Sequence, residues 1–223
     1  MKPHKRQLPF LCAAAVILAM TTAEATLAAS PALPAPVAAA AEDAFLYVAV
    51  HEVTRPPIGW VGFCARYVGE CATTPSTPRD IVLSTRAFKD LTRVNKWVND
   101  AIKPMTDMDH WGVIEQWDYP DDGYGDCEDY VLLKRRLLIE AGWPREALLI
   151  TVVRDKKDDG HAVLTVKTDR GEFMLDNQTD DILLWFETGY RFVKRQSQRD
   201  PNVWVALSDP RPAPATAAAK QRR

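Results

Sequence analysis

The order of hydrophobic patterns along the chain restricts its fold more than any other feature, because helical segments precede a series of strands. Apolar residues at helical spacing in segment 91–103 predict a core-packing helix that Pro104 ends. These residues are Leu91, Val94, Trp97, Val98 and Ile102. A second helix is predicted to begin at Cys127, after an Asp126 N-cap, and to stop at Gly142.

Strand-like segments rich in β-branched and apolar residues follow these helices. Turns are predicted at Asp158-Asp159-Gly160 and Asp169-Arg170-Gly171. The five segments are ALLITVV (147–153), HAVLTVK (161–167), EFMLDN (172–177), YRFVKRQ (190–196) and VWVAL (203–207). Helices followed by strands predict an α+β domain, in which N-terminal helices pack on an antiparallel sheet.

The start of the chain has the pattern of an export signal. Three basic residues precede an apolar run at 8–20, and Ala23-Glu24-Ala25 offers a small-x-small cleavage site. Residues 1–25 are therefore predicted to be a signal peptide that directs the protein to the periplasm, since the run is too short for a transmembrane anchor. A lipoprotein at Cys12 is the weaker alternative, because little apolar sequence precedes that cysteine.

Composition divides the remaining chain into three parts. Ala and Pro dominate 26–42, which predicts a linker, and 209–223 has the composition of a disordered tail. One domain at 43–208 is left, which is long enough for its own core. The whole chain has 28 basic residues (Lys and Arg) and 30 acidic residues (Asp and Glu). Removal of the signal takes away three basic residues and one acidic residue, which leaves 25 against 29 and a net charge of −4. This mildly acidic balance argues against a nucleic-acid binder.

Export changes the meaning of the three cysteines that remain, because disulfides persist in an oxidising compartment. Cys64 and Cys71 lie seven residues apart with Gly69 between them, a spacing that a tight loop closes into a disulfide. Two reduced core cysteines are the alternative. Cys127 is left over, and a leftover thiol in a secreted protein is either reactive or buried.

Cys127 occupies a position that suits a nucleophile. The unpaired N–H groups and dipole of a helix N-terminus favour a thiolate, and the Cys127 amide offers an oxyanion donor. A working thiolate also needs a base and a group that orients the base. Trp117 is a candidate second oxyanion donor, although a core aromatic is its simpler interpretation.

His161 and Asp176 are the candidate base and orienting group. His161 stands at the entry to a strand after a flexible turn, and Asp176 follows in the next predicted strand. If 168–171 closes the hairpin between them, Asp176 lies one diagonal step from His161 on the same face. His110 is interpreted as a loop residue, and His51 has no visible partner. Taken singly, each candidate also has an ordinary structural role: a buried thiol, a strand end or a turn former.

Three acids flank the thiol. Asp126, Glu128 and Asp129 suit a helix N-terminus, which is their purely structural interpretation. Their charge also raises the pKa of the thiol, which opposes its activation. A bound hard cation removes this conflict, and carboxylate oxygens suit Ca²⁺, so a calcium site is predicted with Asp126 and Glu128 ahead of Asp129. The run 118–129 is a weak match to an EF-hand loop, since Pro120 stands at its third position.

Several motifs resemble the bacterial transglutaminase-like cysteine peptidases, over most of residues 56–207. They are MTDMDHWGVIEQWDYP (105–120), GDCEDY (125–130), GHAVL (160–164) and LDNQ (175–178). That family includes periplasmic proteases that cut large surface adhesins and release cells from biofilms. The resemblance implies a papain- or transglutaminase-like fold with Cys127 as nucleophile, His161 as general base and then acid, and Asp176 as its orienting group.

The same resemblance implies calcium dependence through the acids beside the thiol. It also implies an exported or surface protein as substrate and a membrane signalling receptor as regulatory partner. Other functions remain open on the residues alone. The same three side chains suit an acyl transferase or a peptidoglycan peptidase, and a calcium-responsive binding protein with a vestigial triad is the non-enzymatic alternative.

Overall fold

The computed structural model describes residues 45–72 and 77–208. The predicted signal peptide, linker and tail lie outside the described residues and stay predictions. The helices of the described residues are α1 (Ile58–Arg66), α2 (Val68–Cys71), α3 (Thr85–Ala101), α4 (Asp107–His110) and α5 (Cys127–Glu140). Among these residues, no helix combines the length and apolar character that crossing a bilayer requires.

The strands of the described residues are β1 (Ala49–Thr54), β2 (Lys103–Pro104), β3 (Tyr124–Gly125), β4 (Leu148–Arg154), β5 (Gly160–Thr168), β6 (Gly171–Leu175), β7 (Leu183–Leu184), β8 (Arg191–Gln196) and β9 (Trp204–Ser208). Seven of them form one sheet in the order β1-β9-β8-β4-β5-β6-β7, in which every neighbouring pair is antiparallel. Strands β2 and β3 form a short parallel pair. The five predicted strands and the α+β class are confirmed.

Helix α5 begins at Cys127 after the Asp126 cap, as predicted, and Gly142 follows it with a φ of 90°. Helix α3 begins earlier than predicted, because Ser84 caps it by accepting the Ala87 N–H at 3.1 Å. Trp97 and Val98 were the two candidates for one core position of this helix, and Val98 occupies it. Leu91 and Val98 are fully buried, whereas Trp97 is 54% exposed. The sequence pattern alone did not separate Trp97 from its neighbour Val98.

Apolar side chains cover both faces of the central strands. On the helix side, one cluster joins α1, α3 and α5 to the sheet through residues that include Trp60, Phe63, Leu91, Trp117, Leu138 and Leu164. On the opposite face, a second cluster contains Val48, Val153, Val163, Met174, Trp185 and Phe192. Burial on both faces explains why β4 and β5 read as continuous apolar runs instead of alternating ones. The same burial fixes the positions of the strand ends, where the candidate site lies.

The predicted disulfide is present. Cys64, in α1, is bonded to Cys71, the last residue of α2. Neither helix was predicted, and neither was β1, because their segments are short and carry no strong periodicity. The disulfide leaves Cys127 as the free thiol of the described residues.

The hairpin between β5 and β6 has the predicted register. Leu164 pairs with Leu175, and Thr168 pairs with Gly171 around a two-residue turn. Gly171 has a φ of 112°, a conformation that side chains rarely adopt. Asp176 was predicted to lie within the second strand, but β6 ends one residue before it. The carboxylate therefore stands at the end of the sheet that also carries His161.

Two glycines of α1 give a test of the helix-side core. A Cβ at Gly59 would overlap the Trp117 indole, whereas a Cβ at Gly62 meets only Arg66 Nη1 at 3.5 Å. We expect Gly59→Ala to lower the free energy of unfolding by about 1–3 kcal/mol through overpacking. The matched Gly62→Ala variant should raise it by about 0.5–1 kcal/mol, because alanine is the better helix former. Urea denaturation measures both, and equal effects would contradict the packing of α1 on Trp117.

Candidate active site

The Cys127 thiol lies at the junction of α5 and β5. It donates to Glu128 Oε2 at 2.9 Å, and its sulfur accepts a hydrogen bond from the backbone amide of Ala162. Ala162 is the neighbour of His161 in β5. The fold thus brings the start of the predicted nucleophilic helix to the strand entry that carries the predicted base.

His161 and Asp176 form a direct pair. His161 Nε2 lies 2.8 Å from Asp176 Oδ1, and each side chain is only 4% exposed. The same carboxylate accepts the Gln178 N–H at 2.9 Å and the Tyr190 hydroxyl at 2.6 Å. Burial alone would raise the pKa of Asp176, but His161, the Gln178 amide and Tyr190 together hold it below its usual range.

The loop that carries Asp176 is tied to α3. Asn99 donates to the Asp176 carbonyl at 3.0 Å and to Asp180 Oδ1 at 3.0 Å, and Asn95 donates to the Thr179 carbonyl at 3.0 Å. These bonds fix a segment that continues beyond the sheet and would otherwise lack partners for its backbone. Helix α3 therefore supports the position of the candidate orienting carboxylate.

In the part of the chain that the structure describes, the hydrogen bonds of the Cys127 thiol go to Glu128 and Ala162 rather than to His161. Burial raises the pKa of this thiol well above its usual value, and the nearby charges of Glu128 and Asp126 raise it further. The conflict expected between a nucleophilic thiol and its acidic neighbours is thus present in the structure. With both carboxylates charged, the thiol is held in its protonated form.

The acids gather into a cluster with a member that the sequence did not suggest. Oxygens of Asp107, Asp126 and Asp129 lie within 4.8 Å of one another, and ligand atoms of Asp126, Cys127 and Glu128 form a second such group. Asp107 belongs to the one-turn helix α4 and accepts the Gln116 N–H. Its only sequence signal is an acid after Thr106 in MTDMDH, which resembles an ordinary helix cap.

Burial raises the pKa of every carboxyl group in this cluster. Burial raises the pKa of Asp126 to about 8, and the nearby charge of Glu128 is the second cause. Burial also raises the pKa of Asp129 to about 8. The pKa values of Glu128 and Asp107 are also raised, in each case mainly by burial. Asp126 Oδ1 is buried without a hydrogen-bond partner among the described residues. Buried, mutually repelling carboxylates with a free oxygen fit a hard divalent cation.

Asp129 has a second role in the local structure. Its Oδ1 accepts the Asp118 N–H at 2.7 Å, and its Oδ2 accepts the Asp126 N–H at 3.3 Å. A Cβ at Gly125 would lie 2.8 Å from the same Oδ2. Asp129 therefore closes the loop before α5 as well as contributing an acid to the cluster.

The remaining candidates have structural partners. Trp117 is 1% exposed and its indole N–H donates to Glu115 at 2.7 Å, so the core aromatic is the correct interpretation. His110 was interpreted as a loop residue, but it belongs to α4 and lies 2.7 Å from Asp122. His51 lies in β1 and its Nε2 is 2.6 Å from the Ser208 hydroxyl oxygen.

A family model described as bacterial transglutaminase-like cysteine proteinase (BTLCP) matches residues 50–212. The chain belongs to this family. The proteinase is therefore a cysteine peptidase with a transglutaminase-like fold, which confirms the resemblance, the fold class and the enzyme type predicted above.

Solved structures that match part of the chain include LapG of Legionella pneumophila in three forms. The calcium-bound form is 23% identical, with a TM-score of 0.47, and the match covers 61% of this chain and 80% of that chain. LapG and its EGTA-treated form are each 24% identical, with TM-scores of 0.46 and 0.47, and each match covers 60% of this chain and 74% of that chain. No curated protein sequence matches the proteinase.

The raised pKa of Asp126 predicts how stability depends on pH when a chelator is present. A carboxyl group whose pKa is higher in the folded state stabilises that state at low pH, and this contribution is lost as pH rises from about 4 to 8. Asp126→Asn keeps a good N-cap but has no carboxyl group to ionise. We therefore expect the free energy of unfolding of this variant to increase, relative to that of the unmodified protein, from pH 5 to pH 8. Urea unfolding in EDTA at both pH values measures the difference.

Asp121→Asn is the matched control, because Asp121 is exposed and pairs with Arg136 at 3.1 Å. Asp121→Asn should change the free energy of unfolding by less than about 1 kcal/mol at both pH values. A difference between Asp126→Asn and the unmodified protein that is the same at pH 5 and pH 8 would contradict the raised pKa.

Proposed function

We propose that the proteinase is a calcium-dependent endopeptidase of the periplasm with a Cys127-His161-Asp176 triad. The buried pair of His161 and Asp176, next to a thiol at a helix N-terminus, is the observation that carries this proposal. Membership of a cysteine peptidase family supplies the reaction class. The assignment of individual roles rests on the chemistry of these three side chains.

The proposed reaction is acyl transfer to water through a thioester. His161 takes the proton of Cys127, and the sulfur attacks the carbonyl carbon of the scissile peptide bond. The Cys127 amide, free at the start of α5, donates to the oxyanion of the tetrahedral intermediate. His161 then protonates the leaving amine, and a water molecule that gives its proton to His161 hydrolyses the thioester. Asp176 holds the imidazole in one orientation throughout.

The carboxylate cluster is the proposed calcium site. Asp126 and Glu128 are the proposed principal ligands and Asp129 a further one. Asp107 is included in the proposal because one of its oxygens lies within 4.8 Å of oxygens of Asp126 and Asp129. When these carboxylates hold Ca²⁺, the charge of the ion would offset theirs beside the thiol, which would lower the pKa of Cys127. Calcium is thus proposed to be a requirement for activation as well as for the shape of the site.

The proposed substrate is an exported or surface protein, such as a large adhesin whose cleavage releases cells from a biofilm. The predicted signal peptide and the Cys64–Cys71 disulfide support a periplasmic location. A membrane signalling receptor is the proposed regulatory partner. The family resemblance supports this partner and the adhesin, and cell fractionation with an antibody to the proteinase tests the location.

An exposed apolar segment that begins in α4, beside the carboxylate cluster, supports a macromolecular substrate. Residues 108–114 run between Asp107 and Glu115, and Ile114 is 89% exposed. Met108, in α4, and Trp111 and Val113, which follow that helix, are also exposed. Contiguous apolar surface of this kind marks sites of contact with other proteins.

Incubation with exported and surface proteins of the source cell tests the peptidase reaction. We expect discrete fragments in mass spectrometry with calcium and none with a chelator. Cys127→Ala and His161→Ala should remove them, and Asp176→Asn should slow their formation about 10²- to 10⁴-fold, because each group acts in one chemical unit. The Gly62→Ala variant is the control for handling and fold.

The outcome also separates the alternative functions. Cys127-dependent joining of an added amine to the substrate would indicate an acyl transferase, and release of cell-wall peptides would indicate a peptidoglycan peptidase. Full proteolysis by Cys127→Ala would overturn the proposed nucleophile. Calcium-dependent protein binding without any Cys127-dependent product would favour a binding role.

Calcium should stabilise the folded protein. At a calcium concentration 100 times its Kd, linkage gives about 2.7 kcal/mol, which corresponds to a rise in Tm of roughly 5–10 °C for a domain of this size. Glu128→Gln combined with Asp126→Asn should remove most of this rise, whereas Asp121→Asn should keep it. Differential scanning calorimetry with calcium or EGTA provides the measurement, and an identical Tm in both would contradict a calcium site.

A further inference from the structure

The two oxygens of Asp176 have different partners. Oδ1 lies 2.8 Å from His161 Nε2 and accepts the Gln178 N–H at 2.9 Å. Oδ2 accepts the hydroxyl of Tyr190 at 2.6 Å, which is a short bond to a charged acceptor. Both oxygens of the carboxylate are therefore held by hydrogen bonds. Rotation of the carboxylate about the Cβ–Cγ bond would break at least one of these bonds.

Tyr190 also contacts the base directly. Its ring meets the imidazole of His161 edge-on, with centroids 5.6 Å apart and planes at 85°. Burial raises the pKa of the Tyr190 hydroxyl, and the hydrogen bond to Asp176 raises it further, so the group stays a donor. A single side chain thus packs on the base and binds the group that orients the base.

The backbone before Tyr190 fixes this side chain. Thr188 Oγ1 accepts the Tyr190 N–H at 3.1 Å and donates to the Trp185 carbonyl at 2.7 Å. Gly189 has a φ of 73°, which turns the chain between these residues. Tyr190 precedes β8 by one residue, so its position is set by a turn attached to the sheet.

We propose that Tyr190 is a positioning residue for the triad, acting through Asp176. Its hydroxyl holds Oδ2, which leaves Oδ1 directed at His161 Nε2 and keeps the other imidazole nitrogen available to the reaction. The inference rests on the proposed triad, to which it adds a fourth group that need not touch substrate. Hydrogen bonds to charged groups contribute more than neutral ones, so loss of this bond should free the carboxylate appreciably.

Tyr190→Phe is the decisive variant, because it keeps the ring against His161 and removes only the hydroxyl. Tyr47→Phe is the matched control, since the Tyr47 hydroxyl donates to the Thr168 carbonyl at 2.9 Å, away from Asp176. On a substrate protein found by the fragment analysis, we expect Tyr190→Phe to lower kcat about 5- to 50-fold with KM within about twofold. Tyr47→Phe should change neither by more than about twofold.

A second measurement reports the position of Asp176 without any substrate. In protein labelled with ¹⁵N at its histidines, the Nε2–H resonance of His161 is assigned by its loss in His161→Gln. We expect a protected, low-field proton in the unmodified protein and in Tyr47→Phe. In Tyr190→Phe this proton should move upfield and exchange faster, which a purely structural hydroxyl elsewhere would not cause.

A double-mutant cycle tests whether the effect passes through Asp176. In the Asp176→Asn background, Tyr190→Phe should have little further effect on kcat, because the charged acceptor is already gone. Additive losses would overturn action through Asp176. If Tyr190→Phe changed neither the proton signal nor kcat, the inference would be overturned. Loss of activity in His161→Ala in the same assay would show that the proposed triad still holds in that case.

Discussion

The crowding of negative charge around one thiol is the constraint on which the rest of the site depends. Helix α5 begins with Cys127 between Asp126 and Glu128, Asp129 follows in the same helix, and Asp107 approaches from α4. Each carboxylate suits a helix N-terminus, but together and buried they repel one another and oppose thiolate formation. This arrangement is consistent with a protein that completes its site with a cation, and it explains why such costly groups lie in one place.

The sheet holds the candidate base and its carboxylate partner in fixed positions. His161 stands at the start of β5 and Asp176 just past the end of β6, and the two clusters on either face of the sheet hold these strands in place. Bonds from α3 and from the turn before β8 extend that rigidity past the last ladder pair. The geometry of the candidate site thus depends on elements that are far apart in sequence but meet at one end of the sheet.

A buried cation lies near the same pair. Lys134, in α5, is fully buried, and its ammonium has no hydrogen-bond partner among the described residues. Burial lowers its pKa to about 7, against the opposing attraction of Asp176 and Asp180. It partly compensates the charge of Asp176 at a distance, whereas Tyr190 does so by direct contact.

Local sequence determined the helices and strands and the order along the chain of the candidate site residues that they hold. The cap at Asp126, the start of α5, the five main strands and the register of the β5–β6 hairpin all follow from patterns within about 20 residues. Only the tertiary structure decided which distant side chains join them. Asp107 and Tyr190 reach the site from a one-turn helix and a turn, where no periodicity marks a residue, and Trp97 proved exposed because packing selected its neighbour Val98. Contacts between remote segments depend on how whole elements pack, and that information is spread over the entire chain rather than held in any one motif.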